Sequence, residues 1–153
     1  NEINRIANAD IRRVILRTGP VLTKTGGALE KLVTPVRYFV GAPLGPGNQC
    51  FNWIHIDDLC RMYIKAIEDE SMSGVYNAVS PHPVSNKELT QELARALKRP
   101  LGLPPVPSFA VRLLAGEVWE IVLKGGKISS AKIEASGFQF RYDQITDALR
   151  DLL

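Results

Sequence analysis

The chain has 153 residues, of which 45% are hydrophobic and 23% charged, and this length supports one hydrophobic core but not two ordinary domains. Its net charge of +3 is mildly basic and no stripe of arginine and lysine accompanies it, so nucleic-acid binding is not predicted. No run approaches the roughly 18 apolar residues of a membrane span, and no signal peptide is recognised, so we expect no membrane association.

The beginning of the chain predicts the end of one helix and then a strand. Ile3, Ile6 and Ala7 have helical spacing without an initiator methionine, so we expect a helix that begins elsewhere and a chain that is a fragment. The apolar run at residues 14–16 predicts a strand buried on both faces of a parallel sheet. Gly19-Pro20 is expected to end this strand and to begin a loop.

Residues 26–49 predict a helix followed by a loop. Apolar residues at helical spacing run from Gly26 to about Tyr38, and Pro35 is expected to kink or end this helix. Residues 41–49 are rich in glycine and proline, which predicts an irregular loop over a cleft or on the surface.

Residues 51–63 carry the clearest signal. Residues 51–56 alternate as in a strand, and after Asp57 the apolar residues follow the spacing of an amphipathic helix. We predict a strand, a helix capped by the Asp57 carboxylate, and hence an α/β protein. Cys50 and Cys60 lack the spacing of metal ligands, which predicts reduced thiols, no metal site and a cytoplasmic protein.

The second half predicts further helices and strands. Residues 74–79 read as a short strand, and Ser85 with Glu88 forms a capping box before a helix that stops ahead of Pro100. Helical spacing resumes from Ser108 to Leu123 after a proline-rich connector at residues 101–107. The alternation of residues 138–142 predicts a strand, and Asp143 is expected to cap a last helix.

Several short motifs occur in an order that resembles the C-terminal half of extended short-chain dehydrogenase/reductases. The resemblance is to the NAD(P)-dependent epimerase/dehydratase family, and within it to putative nucleoside-diphosphate-sugar epimerases. It covers residues 11–153. The motifs are Leu16-Arg17-Thr18-Gly19, Gly26-Gly27-Ala28-Leu29, Gly41-x-Pro43-Leu44-Gly45-x-Gly47-x-Gln49, Trp53-Ile54-His55-Ile56-Asp57-Asp58-Leu59, Asn77-Ala78-x-x-Pro81, Arg99-Pro100, Gly116-Glu117 and Gly137-Phe138-x-Phe140-Arg141-Tyr142.

The resemblance implies the C-terminal portion of a Rossmann-type parallel sheet with a small helical substrate-side region. Residues 1–80 would be the last strands and helices of the NAD(P)-binding domain, and residues 81–153 the substrate-side region. The glycine fingerprint and the Tyr-x-x-x-Lys pair of the family are absent from this sequence. We therefore predict no catalytic residue in the chain and expect NAD or NADP to bind only in a longer parent protein.

The resemblance also implies site residues. The loop after the first strand passes the nicotinamide in this family, so Thr18, Gly19, Pro20 and Val21 are cofactor-side candidates, although Gly19-Pro20 could simply turn the chain. The substrate-side candidates are Gln49, Trp53 and Asn77. A tryptophan in a strand is more often a core residue, and Asn77 could equally tie a loop.

Other polar residues have structural interpretations that we favour. His55 lies among apolar neighbours and is expected to be a hydrogen-bonded structural histidine rather than a base. Asp57 and Asp58 fit helix capping better than metal binding, and Arg17 is expected to pair with an acidic residue.

Two positions depart from sugar-nucleotide epimerases. Those enzymes are expected to place an asparagine near Pro20 and an arginine near Phe51, where both would reach the diphosphate. Proline and phenylalanine cannot neutralise phosphate. The substrate of the parent could therefore be a sugar or a smaller, less charged carbonyl compound.

Two functions remain open from the sequence. The first is a C-terminal fragment of an oxidoreductase or epimerase, inactive alone. The second is a non-catalytic interaction module that self-associates, because the strand at residues 14–16 would present unpaired backbone groups and could form a homodimer.

Overall fold

The computed structural model describes residues 11–107 and 126–153. These residues form a mixed α/β fold, as predicted. The strands are β1 (Val14–Thr18), β2 (Val21–Leu22), β3 (Cys50–Phe51), β4 (Ile54–His55), β5 (Gly74–Ala78) and β6 (Val84–Ser85). The helices are α1 (Gly27–Arg37), α2 (Ile56–Glu68), α3 (Asn86–Ala96), α4 (Ala131–Ala135) and α5 (Ile145–Leu152). The helices predicted at residues 3–7 and from Ser108 to Leu123 lie outside the described residues.

The strands form three pairs. β1 runs parallel to β5, with Val14 opposite Gly74 and Thr18 opposite Ala78, and β2 runs parallel to β4. The third pair, β3 with β6, is antiparallel. Parallel pairs need a crossover connection, and the chain between β1 and β5 supplies it with α1 and α2.

The two edges of the β1–β5 pair differ. On the β5 side, the Lys132 ammonium donates to the carbonyl oxygens of Ser73 and Val75, which blocks further strand pairing there. On the β1 side, no described strand pairs with the free edge. Residues 14–16 are half-buried and residues 17 and 18 are exposed, so the expectation of a strand buried on both faces is not met within the described residues.

Residues 51–56 do not form one strand. The structure divides them between β3 and β4, with Asn52 and Trp53 in between, because β3 pairs with β6 whereas β4 pairs with β2. Alternation alone does not reveal a change of partner. The division sends Trp53 and Ile54 into two different hydrophobic cores.

The first core lies between α1, α3 and α5. It contains Trp53, Leu29 and Val33 of α1, Leu89 and Leu93 of α3, and Leu149 of α5. The second core lies between the β1–β5 pair, α2 and α4, and contains Ile54, Met62, Met72, Tyr76, Ile133 and Phe138. Since the first core joins side chains from both sides of residue 80, the division at that position stays a prediction.

Helix boundaries follow the sequence in most cases. The capping box of Ser85 and Glu88 is present, and Val84 and Leu89 share the first core. α1 continues two residues past Pro35, which lies in its last turn. None of the described helices is both long and apolar enough to cross a membrane.

Three local predictions are wrong. The N-cap of α2 is His55, whose Nδ1 accepts from the Asp57 backbone N–H at 3.1 Å, so the Asp57 carboxylate is not the cap. α5 follows Gln144 rather than Asp143, with no side-chain cap. Residues 138–142 contain no strand.

The alternation of Phe138, Phe140 and Tyr142 has another cause. Phe138 enters the second core, Phe140 packs edge-on against it at 5.1 Å, and Tyr142 stacks on His55. The backbone N–H groups of Arg141 and Tyr142 donate to Asp58 instead of a neighbouring strand. Each of the three aromatic rings makes its own contact, and together they give the alternation that the sequence analysis interpreted as a strand.

Candidate functional site

The loop of residues 18–21 lies at the carboxyl ends of two parallel strands. The Gly19 N–H donates to the Ala78 carbonyl oxygen at 3.2 Å, at the end of β5. The Pro20 carbonyl accepts from the Ile54 N–H at 3.1 Å, at the start of β4. Thr18 and Pro20 are exposed, whereas Gly19 and Val21 are half-buried. Ligands of parallel α/β sheets bind beyond these strand ends.

Gly19 is required by the close approach of this loop to the strands beneath it. A Cβ atom built on Gly19 would lie 2.9 Å from Cγ1 of Val79 and 3.3 Å from the backbone oxygen of Asn52. No side chain fits there without displacing its neighbours. The loop therefore turns the chain and is also held at a fixed position against β4 and β5.

A second segment, residues 126–129, lies beside the same strand ends. The Asn52 side chain holds it by donating to the Gly126 carbonyl and accepting from the Ile128 N–H, both at 2.8 Å. The Asn77 side chain donates to the Ser129 carbonyl at 2.9 Å. Asn77 thus ties this segment to β5, and its substrate-side role stays a prediction.

Asn52 was missed by sequence reasoning. It is buried, and its amide can satisfy a carbonyl and an N–H at once because it carries both a donor and an acceptor. A polar residue between Phe51 and Trp53 was the available signal, but the alternation of residues 51–56 placed it within a strand, on the face opposite these two rings.

The two other substrate-side candidates lie apart from this loop's surface. Trp53 is fully buried in the first core, and its Nε1 donates to the His82 carbonyl oxygen at 3.1 Å. Gln49 is buried, and its Nε2 donates to the Leu44 carbonyl at 2.7 Å. Its Oε1 is buried without a hydrogen bond to any part of the chain that the structure describes. Their substrate-side role stays a prediction.

His55 connects the start of α2 to the end of the chain. Its Nδ1 accepts from the Asp57 N–H, and its Nε2 lies 3.4 Å from Oδ2 of Asp151. At this distance and without hydrogen-bond geometry, the contact is electrostatic. The ring is buried and stacks on Tyr142 with centroids 3.8 Å apart, as expected of a structural histidine.

Asp151 is the acidic centre of this cluster. Its partial desolvation opposes ionisation, but the hydrogen bond from Tyr142 and the charges of Lys24 and His55 outweigh it and lower the pKa of Asp151. Desolvation and the hydrogen bond to Asp151 raise the pKa of Tyr142. Through these contacts Tyr142, His55 and Asp151 join α5 to the start of α2.

Asp58 is the second acidic residue whose role the sequence did not reveal. It is fully buried, and its carboxylate accepts from the backbone N–H groups of Arg141 and Tyr142 and from Arg61. No group of three or more His, Cys, Asp and Glu side chains suited to a metal ion occurs in residues 11–107 and 126–153.

Arg17 does not follow its prediction. An acidic partner was expected, yet its side chain is exposed and makes no hydrogen bond or ion pair with any residue of the described ranges. The prediction assumed a fully buried strand end, and β1 is open at that point.

Comparison with known proteins shows which proteins the chain is similar to. Residues 106–152 match the model described as "Domain of unknown function (DUF1731)". The chain is 42% identical over 147 residues to the epimerase family protein SDR39U1 homolog, chloroplastic, of Arabidopsis thaliana, covering 96% of this chain and 42% of that protein. The crystal structure of human epimerase family protein SDR39U1 (isoform2) with NADPH superposes with a TM-score of 0.85 at 35% identity, over 92% of this chain and 48% of that one.

This chain is a homologue of the C-terminal part of epimerase family proteins. A second solved structure, the nucleoside-diphosphate sugar epimerase from Corynebacterium glutamicum, has a TM-score of 0.71 at 32% identity, over 95% of this chain and 27% of that one. The family resemblance and the Rossmann-type α/β class predicted from the sequence are confirmed. The chain spans about half the length of the curated relatives it matches.

Proposed function

We propose that this chain forms the nicotinamide-side and substrate-side wall of an NAD(P)-dependent epimerase or reductase. The observation that carries the proposal is the loop of residues 18–21, which follows β1 and is held by hydrogen bonds to the carboxyl end of β5 and to the first residue of β4. The human relative was crystallised with NADPH, which supports a nicotinamide cofactor for the protein in which this wall works.

The residues present fit a cofactor in three respects. Gly19 brings the loop backbone close to the strands, the exposed Thr18 offers a hydroxyl without a described hydrogen bond, and Pro20 offers a rigid apolar surface. A bound nicotinamide would supply hydride transfer. The part of this chain is to position the ring and exclude water from one side. The proton-transferring pair and the glycine fingerprint would come from polypeptide outside these 153 residues.

We propose that the substrate is a carbonyl or sugar compound without a diphosphate. Pro20 has no N–H donor and Phe51 has no charge, so neither compensates a diphosphate at the positions expected to do so. The amides of Asn77 and Gln49 each donate to a backbone carbonyl, and their oxygens suit the hydroxyl groups of a substrate as acceptors. A cytoplasmic location is part of the proposal and rests on the free state of Cys50 and Cys60. The Arabidopsis relative, by its name, is chloroplastic.

Calorimetric titration of NADPH and NADH tests the proposal. The chain is compared with a longer form that carries a nucleotide-binding half before residue 1. We expect binding only by the longer form, and a weaker affinity after Thr18→Val, with Thr25→Val as the matched control in an exposed loop. Absence of binding by a folded longer form, or turnover by residues 1–153 alone, would contradict it.

A second candidate function, self-association, is favoured by the outer edge of β1, with which no strand of the described residues pairs. Its backbone groups and the half-buried Ile15 are available for pairing with another chain. Light scattering at micromolar concentration should then show a dimer, and Ile15→Lys should give a monomer. Ile67→Lys, on the exposed face of α2, is the control that should remain dimeric. A monomeric unmodified chain rules this candidate out.

A further inference from the structure

Arg17 is an exposed guanidinium at the carboxyl end of β1, one residue before the Thr18–Gly19 turn. It has no hydrogen bond, ion pair or ring contact within residues 11–107 and 126–153. A guanidinium that lacks a partner retains its planar fork of N–H donors for a ligand. Its place in the fold is where parallel sheets bind ligands.

Most other arginines in the described chain are engaged. Arg12 donates to the carbonyl oxygens of Ala66, Ile67 and Met72. Arg61, Arg95, Arg141 and Arg150 face carboxylates, and Arg99 lies over the ring of Phe39. Arg37 is also without a described contact, but it lies in the last turn of α1, where a cation is favourable. Arg17 has no comparable structural explanation.

The strand register places Arg17 beside the proposed cleft. Arg17 is opposite Asn77 in the parallel β1–β5 pair, so the two side chains leave the same face of the sheet. The Asn77 amide donates to the Ser129 carbonyl, and the exposed Lys127 lies two residues before Ser129. Arg17 and Lys127 are therefore two exposed cations near the carboxyl ends of β1 and β5, close to the uncharged residues Thr18, Gly19 and Pro20.

We propose that Arg17 binds an anionic group, a phosphate or a carboxylate, of a ligand in this cleft, with Lys127 contributing charge. The proposal rests on the proposed function for the place of the ligand. Pro20 and Phe51 cannot bind a negatively charged group. The proposal adds that Arg17, at the end of β1, binds it instead. A single guanidinium with one nearby ammonium suits one anionic group rather than a diphosphate.

The test uses inorganic phosphate and acetate as probes. Each is titrated into the ¹⁵N-labelled 153-residue chain at constant ionic strength against sodium chloride, and the Arg17 side-chain and the Thr18 and Asn77 backbone resonances are followed. We expect saturable shifts at these groups. Arg17→Gln should weaken binding about tenfold or more, because a charge-assisted hydrogen bond is lost. Arg37→Gln is the matched control and should leave the affinity unchanged.

The two probes identify the anion. Saturation by phosphate alone assigns a phosphate group, and saturation by acetate assigns a carboxylate. Arg17→Lys keeps the charge without the fork and should retain an intermediate affinity, which also covers the case in which Arg17→Gln fails to fold. Shifts no larger than those with chloride, or equal effects of the Arg17 and Arg37 variants, overturn the proposal. The anion titrations contain no nicotinamide cofactor. Their result is therefore independent of the NADPH and NADH titrations that test the proposed function.

Discussion

Asp58 and Tyr142 are 84 residues apart in the sequence and joined by a 2.9 Å hydrogen bond, from the Tyr142 backbone N–H to the buried Asp58 carboxylate. The neighbouring Arg141 N–H donates to the other carboxylate oxygen at 2.8 Å. One side chain in the first turn of α2 therefore satisfies two backbone donors of the segment before α5. The polar groups of that segment need no partner strand, which explains why it is irregular.

Replacing Asp58 should be strongly destabilising. Asp58→Ala leaves two backbone N–H groups and Arg61 without their acceptor, and we expect a loss of about 3 kcal/mol in the free energy of unfolding. Urea denaturation measures it. The adjacent Asp57→Asn is the control, because Asp57 is half-exposed and faces Arg141 at 3.7 Å, and its effect should stay below about 1 kcal/mol. Equal effects of the two variants would contradict the role assigned to Asp58.

The two roles of His55 can be separated by substitution. His55→Ala removes both the cap of α2 and the stack on Tyr142, and should cost about 3 kcal/mol. His55→Asn keeps a side-chain acceptor at the N-cap and should recover about 1 kcal/mol of that loss. Thermal unfolding compares them, and hydrogen exchange at the Asp57 amide reports on the cap itself. No recovery in the asparagine variant would show that the cap contributes little.

Gly19 should not tolerate a side chain. Gly19→Ala places a methyl group 2.9 Å from Val79 and 3.3 Å from a backbone oxygen, and we expect a destabilisation of about 1–2 kcal/mol. Gly102→Ala has nothing within 4 Å of the new atom and is the matched control, with an expected change near zero. Denaturant unfolding of both variants checks the prediction, and a neutral Gly19→Ala would refute the tight packing of this loop.

Asp69 should make stability depend on acid pH. A hydrogen bond from Lys65, with further ones from Ser71, lowers the pKa of Asp69 from 3.8 to about 2. Because the folded pKa is below the unfolded one, the stabilisation is complete above about pH 4 and is lost as the pH falls to about 2. The melting temperature of the unmodified chain should exceed that of Asp69→Asn at pH 6, and the difference should shrink over this interval.

A control distinguishes this effect from general acid destabilisation. Asp147→Asn removes another exposed carboxylate, paired with Arg150 at 3.0 Å, and its difference from the unmodified chain is measured over the same pH series. We expect the Asp69 difference to change more between pH 4 and 2 than the Asp147 difference. If the two differences in melting temperature changed equally with pH, Asp69 would have no specific role in the acid dependence of stability.

Local patterns predicted the regular elements well where a segment is stabilised by its own residues. The capping box at Ser85 was recognised because donor and acceptor are three residues apart. The buried face of α5, with Ile145, Ala148, Leu149 and Leu152, was read from helical spacing alone. The same reasoning failed at residues 138–142, whose rings alternate for three unrelated reasons.

The candidate site was only partly predictable. Thr18, Gly19, Pro20 and Val21 were named through the family resemblance, and the structure places them at the ends of parallel strands. The amide of Asn52 holds residues 126 and 128. The only sign of this role in the sequence is that Asn52 is a polar residue between two aromatic residues. Arg17 was expected to be paired because its strand was predicted to be buried, whereas no strand among the described residues pairs with the outer edge of β1.

The sequence by itself determined the α/β class, the positions of the principal helices and the absence of the glycine fingerprint and the Tyr-x-x-x-Lys pair. These features depend on residues that are close together in the sequence, so periodicity, helix caps and motifs can be recognised from the sequence alone. Only the tertiary structure decided that His55 caps α2, that Asp58 supports Tyr142 and that Arg17 has no partner in residues 11–107 and 126–153. Those outcomes depend on which distant groups meet, because a buried donor or acceptor must find its partner wherever folding places it.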